Sequence, residues 1–161
     1  MNFIMKHKLL LAIATVLILS VAYAASKKEK PETTASEVKT ETSEGIKFFE
    51  GSWKEVLKKA KETNKPIMVD VSTSWCGYCK KMKRFTFTDN KVAAYYNENF
   101  INIEVDAENG DGLVIAQKYQ VRSYPTIIYF DKNEKPILYA EGYMQSEEFI
   151  KAGKAAIQNI K

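Results

Sequence analysis

Cys76 and Cys79 are the side chains of this sequence best suited to covalent chemistry, and they are its only cysteines. They lie in the stretch Trp75-Cys76-Gly77-Tyr78-Cys79. Two thiols so spaced can hold one disulfide and hand it on through a mixed disulfide with another protein. The rival role is a structural bridge, the usual use of a cysteine pair in an oxidising compartment. A bridge over two intervening residues closes a very small loop, however, and removes little entropy from the unfolded chain. The spacing therefore favours redox chemistry. Zinc is not expected. A structural zinc site takes about four ligands, and the sole histidine, His7, lies far upstream in an apolar leader. No cofactor is expected beyond the redox-active pair itself.

Positioning such a pair needs a rigid junction. Just upstream, Pro66-Ile67-Met68-Val69-Asp70-Val71 reads as a buried strand, and just downstream residues 80–85 read as a helix. Cys76 then falls at or before the first helical turn. Unpaired backbone N–H groups and the positive end of the helix dipole favour its thiolate there, and the thiolate is the nucleophile of disulfide exchange. Cys79 falls one turn further in, reachable from Cys76 but more buried, as a resolving thiol requires. Lys80, Lys81, Lys83 and Arg84 either add to this positive field or form a solvated helix face.

The rest of the chain supplies the scaffold. Residues 1–24 read as a signal peptide: Lys6, His7 and Lys8 precede an apolar run from Leu9 to Val21, and Ala22-Tyr23-Ala24 fits a small-x-small cleavage site. The run is shorter than the roughly 20 residues of a membrane span. An uncleaved anchor holding the domain at the outer face of the membrane is the alternative. Residues 25–45, rich in Lys, Glu, Thr, Ser and Ala, read as a disordered linker with too little apolar surface to offset ordering entropy. Losing the leader removes two of the 24 basic side chains and none of the 20 acidic ones, leaving a near-neutral remainder. That balance gives no argument for nucleic acid or an acidic partner.

Residues 46–161 read as one globular domain. Ser52 and Glu55 fit a capping box, and Trp53, Val56, Leu57 and Ala60 recur at helical spacing. The helix ends before Pro66. Phe85 continues the apolar side of the cysteine helix begun by Met82, and Thr88 or Asp89 caps a further helix. Residues 100–105 form a strand, 108–112 a loop and 113–119 a short helix. The loop lacks the ligand pattern of an EF-hand, so calcium is not expected. Residues 125–130 and 137–140 form an antiparallel hairpin, broken by Gly142. Residues 147–160 close the domain as a helix packed through Phe149, Ile150, Gly153 and Ile157. The order predicts an α/β domain, a central mixed sheet of about four or five strands with helices on both faces.

Four separated features resemble the thioredoxin superfamily: the cysteine motif, Asp70 upstream of it, Tyr124-Pro125-Thr126 opening a strand, and Gly142 after the hairpin. Met68-Val69-Asp70-Val71, Phe85-Thr86-Phe87-Thr88-Asp89, the run from Pro125 to Asp131, and Glu141-Gly142-Tyr143 resemble the C-terminal periplasmic domain of DsbD-type thiol:disulfide interchange proteins. The resemblance implies a thioredoxin fold and a periplasmic or secreted thiol–disulfide oxidoreductase, most simply a monomer. Its partners would be exported thiol or disulfide proteins and an upstream electron donor, either soluble or membrane-bound. An oxidase or isomerase with the same residues is an alternative, as is a redox-inactive module that binds extended peptides. Gly77-Tyr78 stands between the cysteines where thioredoxin has Gly-Pro and strong oxidants have a histidine. Lys83 stands where some reductase relatives carry an acid.

The resemblance also assigns roles. Asp70 lies under the site, and burial raising its pKa would suit it to take the proton from Cys79. Alternatively it is an acid satisfied by a neighbouring donor. Pro125 is expected to be cis, with Tyr124 lining a groove for an extended substrate segment. Trp75 and Tyr78 would complete the contact surface, with simple packing as the alternative for Trp75.

Overall fold

The computed structural model describes residues 45–160, and the expected signal peptide or anchor and most of the linker lie outside them. Gly45, the last position of the expected linker, is buried and already belongs to the fold: its carbonyl accepts a hydrogen bond from Asn97 Nδ2.

Helix α1, Trp53–Thr63, starts at Ser52 with the expected capping box and ends at Asn64 in left-handed geometry. Strand β1, Ile67–Ser72, is buried at all six positions. Helix α2, Gly77–Lys81, runs into a π-helical turn, Met82–Thr86. Asp89 caps α3, Asn90–Asn99, by accepting from the N–H groups of Lys91 and Val92. Strand β2 is Ile101–Asp106 and helix α4 is Gly110–Lys118. The hairpin strands are β3, Thr126–Phe130, and β4, Pro136–Glu141, and helix α5 is Ser146–Gln158.

The four strands lie in the order β2-β1-β3-β4. β1 pairs parallel with β2 and antiparallel with β3, and β3 pairs antiparallel with β4. Strand alternation sends side chains to two cores. Ile67, Val69 and Val71 of β1 join Ile103, Val105, Ile128 and Phe130 under α1 and α4. Met68 joins Ile127, Tyr129, Met82, Tyr96 and Phe149 beneath the π turn, α3 and α5. With both faces covered, β1 has no solvated side, which explains its nearly unbroken apolar run. Asp70 shares the Met68 face and therefore points into the second layer.

Two sequence expectations need correction. Phe85 does not continue the apolar side of the cysteine helix but is 55% exposed. The turn it belongs to closes with Phe87 N–H donating to Met82 O, an i to i−5 bond. One extra residue per turn puts Phe87, not Phe85, behind Met82 in the core. Helix α4 also begins at Gly110 rather than Leu113. The two glycines there suggest a loop by propensity, but Gly112 sits so close to the Asp106 backbone that a side chain would collide with it.

Candidate active site

The site is assembled where β1 leaves the sheet. Cys76 caps α2 in extended conformation, and its Sγ accepts the Cys79 N–H at 3.0 Å. The same N–H would be directed at a Cys76 thiolate, the stabilisation expected of a sulfur at a helix start. The two cysteines form a disulfide with Cα atoms 5.3 Å apart. Both are buried in this state, Cys79 at 1% and Cys76 at 5% exposure. The adjoining loop is fixed by Cys76 N–H donating to Thr73 O.

Asp70 lies behind the pair. Met68 packs in the same cluster as Met82. Asp70 is two residues further along that strand face toward the cysteines, and Cys79 lies three residues before Met82 along the same helical face. The acid and the inner cysteine thus converge on one buried layer. Asp70 is 1% exposed, and neither carboxyl oxygen has a hydrogen-bond partner. Burial pushes its pKa up to about 7; Glu104 adds to the rise and Lys83 opposes it. The alternative of an acid satisfied by a neighbouring donor therefore does not apply. Thr73 Oγ1 is likewise buried without a partner.

The outer wall comes from two distant segments. The Tyr124–Pro125 peptide bond is cis, as the sequence leads one to expect. Pro125 O accepts the Gly142 N–H at 2.8 Å, which ties this loop to the end of the hairpin. Trp75 meets Tyr124 edge-to-face with ring centroids 5.9 Å apart, a favoured aromatic geometry. Trp75 Nε1 donates to Glu108 Oε1 at 3.0 Å. Trp75 and Tyr78 are each 64% exposed. The motif side chains and the proline loop thus share one surface, with exposed aromatic faces beside the disulfide.

Three side chains of the basic run have partners of their own rather than Cys76. Lys83 pairs with Glu104 at 2.5 Å, Lys81 lies over the Tyr143 ring at 4.3 Å, and Arg84 lies by Phe85 at 5.3 Å. Glu104 and Glu108 are site neighbours that sequence reasoning missed. Their only signal is pairing with residues far away in the chain, which no local pattern reveals.

A buried disulfide at a helix start, an acid beneath it and a cis-proline loop beside it define a thiol–disulfide exchange site on a thioredoxin fold. The chain belongs to the thioredoxin-like domain family, whose family model matches residues 53–157. It is similar to the thiol:disulfide interchange protein DsbD of Yersinia pestis (strain Pestoides F), with 32% identity over 94 residues, 56% of this chain and 16% of that protein. The DsbD of Vibrio vulnificus (strain CMCP6) is 32% identical over 125 residues, 73% of this chain and 21% of that protein. The chain thus spans about a fifth or less of the length of these curated relatives. A solution structure from Bacteroides thetaiotaomicron, described as a candidate disulphide-isomerase, is 34% identical with a TM-score of 0.65, covering 72% of this chain and 96% of that one. The oxidised C-terminal domain of Neisseria meningitidis DsbD shares the fold at 22% identity and a TM-score of 0.55, over 66% of this chain and 91% of that one.

Proposed function

We propose that this protein reduces disulfides of exported proteins outside the cytoplasm, using Cys76 and Cys79 as its dithiol. The observation that carries the reading is the unpartnered Asp70 carboxyl buried in the layer that holds Cys79. A proton acceptor there serves the resolution step. Cys76 thiolate attacks one sulfur of the substrate disulfide; that bond breaks, a mixed disulfide forms, and the released substrate thiolate takes a proton. Cys79 then gives its proton to Asp70 and attacks Cys76 Sγ. The mixed disulfide breaks, Cys76–Cys79 forms, and the second substrate thiol leaves. The substrate gains two electrons and the protein loses two, so a dithiol donor, which a membrane protein could supply, must reduce it again. Trp75, Tyr78, Tyr124 and Pro125 form the contact surface for the substrate segment. The extracytoplasmic setting is supported by the leader-like residues 1–24 and by the likeness to DsbD. Action as a monomer, with no nucleic-acid partner and no metal, completes the reading.

The reductive direction is supported by Gly77-Tyr78 between the cysteines, where no histidine stabilises the thiolate. An isomerase with the same residues is the second reading, favoured by the description of the Bacteroides relative. The Cys76–Cys79 potential, measured against glutathione, separates directions. A value near about −270 mV supports a reductase, whereas one near about −120 mV supports an oxidant and rules out the proposal. Cys79→Ser should accumulate mixed disulfides with partners, while Cys76→Ser should trap few and lose turnover. Equal capture by both variants would indicate a binding module instead.

A further inference from the structure

We infer that the Lys83–Glu104 ion pair sets the proton affinity of Asp70 and, through it, the pH range over which Cys79 resolves a mixed disulfide. The second half rests on the oxidoreductase reading above; the first does not.

Asp70 and Glu104 are register partners on the parallel strands β1 and β2, so their side chains leave the sheet on the same face. Asn102 confirms which face this is: two residues before Glu104, it donates through Nδ2 to Tyr96 O of α3. Asp70 is buried and Glu104 exposed, so the two acids run from the core to the rim of one layer. Lys83 reaches across that layer from the π turn and binds Glu104 Oε1 at 2.5 Å. The charged groups acting on Asp70 are Glu104 from β2 and Lys83 from the π turn; β3 presents apolar Ile127 as its register partner, with the Tyr129 and Tyr96 hydroxyls in the same layer, and Cys79 of α2 titrates only once the disulfide is reduced.

Asp70 has no hydrogen-bond donor of its own, so nearby formal charge acts on it unopposed. The two members of the pair act with opposite sign. Glu104 disfavours ionisation of Asp70 and Lys83 favours it. Together they hold the acid in balance on top of the larger effect of burial, so removing either one alone tips it. Lys83 and Glu104 are thus positioning residues: they touch neither sulfur and act only through Asp70.

The test is the Asp70 carboxyl titration, followed by carbon NMR in the oxidised full chain, for Lys83→Gln, Glu104→Gln and the double variant. Lys83→Gln should raise the midpoint by roughly half a unit or more, Glu104→Gln should lower it by a similar amount, and the double variant should return near the parent. A pair that only closes the layer sterically would admit water in both single variants and lower both midpoints. Shifts of the same sign, or none, overturn the inference. The pH profile of disulfide exchange should move with the midpoints, and a profile that stays fixed overturns its second half. The NMR arm needs no turnover, so a protein that exchanged no disulfide would defeat the oxidoreductase reading while the midpoints still decided this one.

Discussion

Replacing Asp70 with Asn should stabilise the oxidised protein, and the gain should grow with pH. Asp70 is buried with both oxygens unpartnered, and burial first, then Glu104, lifts its pKa from 3.8 to about 7. A carboxyl whose folded pKa lies above its unfolded value holds its proton more tightly in the folded state. Its contribution is therefore intact below about pH 4 and is lost as pH rises toward 7. Three units of displacement correspond to about 4 kcal/mol once both states are ionised. Asn cannot ionise and escapes that loss. Its buried amide meets the same lack of partners as the protonated acid, a cost of similar kind at every pH. The informative quantity is thus the change in the mutational effect with pH. Guanidinium unfolding of parent and variant, both with the disulfide intact, should give a difference that grows by about 3 kcal/mol between about pH 4.5 and about pH 8.5. The same substitution should slow disulfide exchange at neutral pH roughly a hundredfold if Asp70 accepts the Cys79 proton. A pH-independent stability difference would refute the burial argument, and a normal rate would remove Asp70 from the proton path.

Trp75→Ala should weaken substrate engagement and leave folding almost untouched. The ring is mostly exposed, so unfolding free energy should move by less than about 1 kcal/mol. Exchange with a protein substrate should show a raised KM, and an unchanged KM would remove Trp75 from the contact surface. Tyr96 and Tyr129 offer an asymmetric pair. Tyr96 Oη donates to Phe149 O and lies 2.6 Å from Tyr129 Oη, all of it buried. Tyr129→Phe leaves the bond to Phe149 O in place and should cost about 1 kcal/mol. Tyr96→Phe removes the extra bond to Phe149 O and strands the buried Tyr129 hydroxyl, and should cost about 1–3 kcal/mol more, measurable by denaturant unfolding. Equal costs would contradict this bonding order. Glu134→Ala should destabilise by about 1–2 kcal/mol in the same assay, because Glu134 Oε1 accepts from Trp53, Lys118 and Tyr119 and so links α1 and α4 to the β3–β4 turn. A neutral effect would show that the three donors find water equally well.

What could be read in the sequence followed from how local each signal is. The Ser52–Glu55 capping box spans four residues and appears as expected. The continuous apolar run of β1 corresponds to burial on both faces. Cys76 and Cys79 are legible because their chemistry and spacing lie in one motif. Phe85 lies outside the core because a helical period of 3.6 residues, which would place it inside, carries no sign of an i to i−5 turn. Gly112 suggested a loop because its reason for being glycine, the nearness of the Asp106 backbone, belongs to the fold. The thioredoxin resemblance marks Asp70 as a proton acceptor but leaves open an acid satisfied by a neighbouring donor. Its lack of any donor, which decides between the two, depends on the packed layer around it.

The π turn and the ion pair belong to one arrangement. Had the helix after Cys79 kept its regular period, residues three and four beyond Met82 would share its inward face. The wider turn instead gives that place to Phe87, turns Phe85 outward, and leaves Lys83 beside the sheet edge where Glu104 waits. Core stability does not explain Asp70, which weakens the fold wherever it is ionised. An unpartnered acid and an ion pair meeting in one layer next to the only cysteines are explained together if the layer handles a proton. Asp70 would hold it, and Lys83 and Glu104 would fix the pH at which it is released. Restoring a regular helix by deleting one residue from the turn should then separate Lys83 from Glu104 while leaving the disulfide able to form.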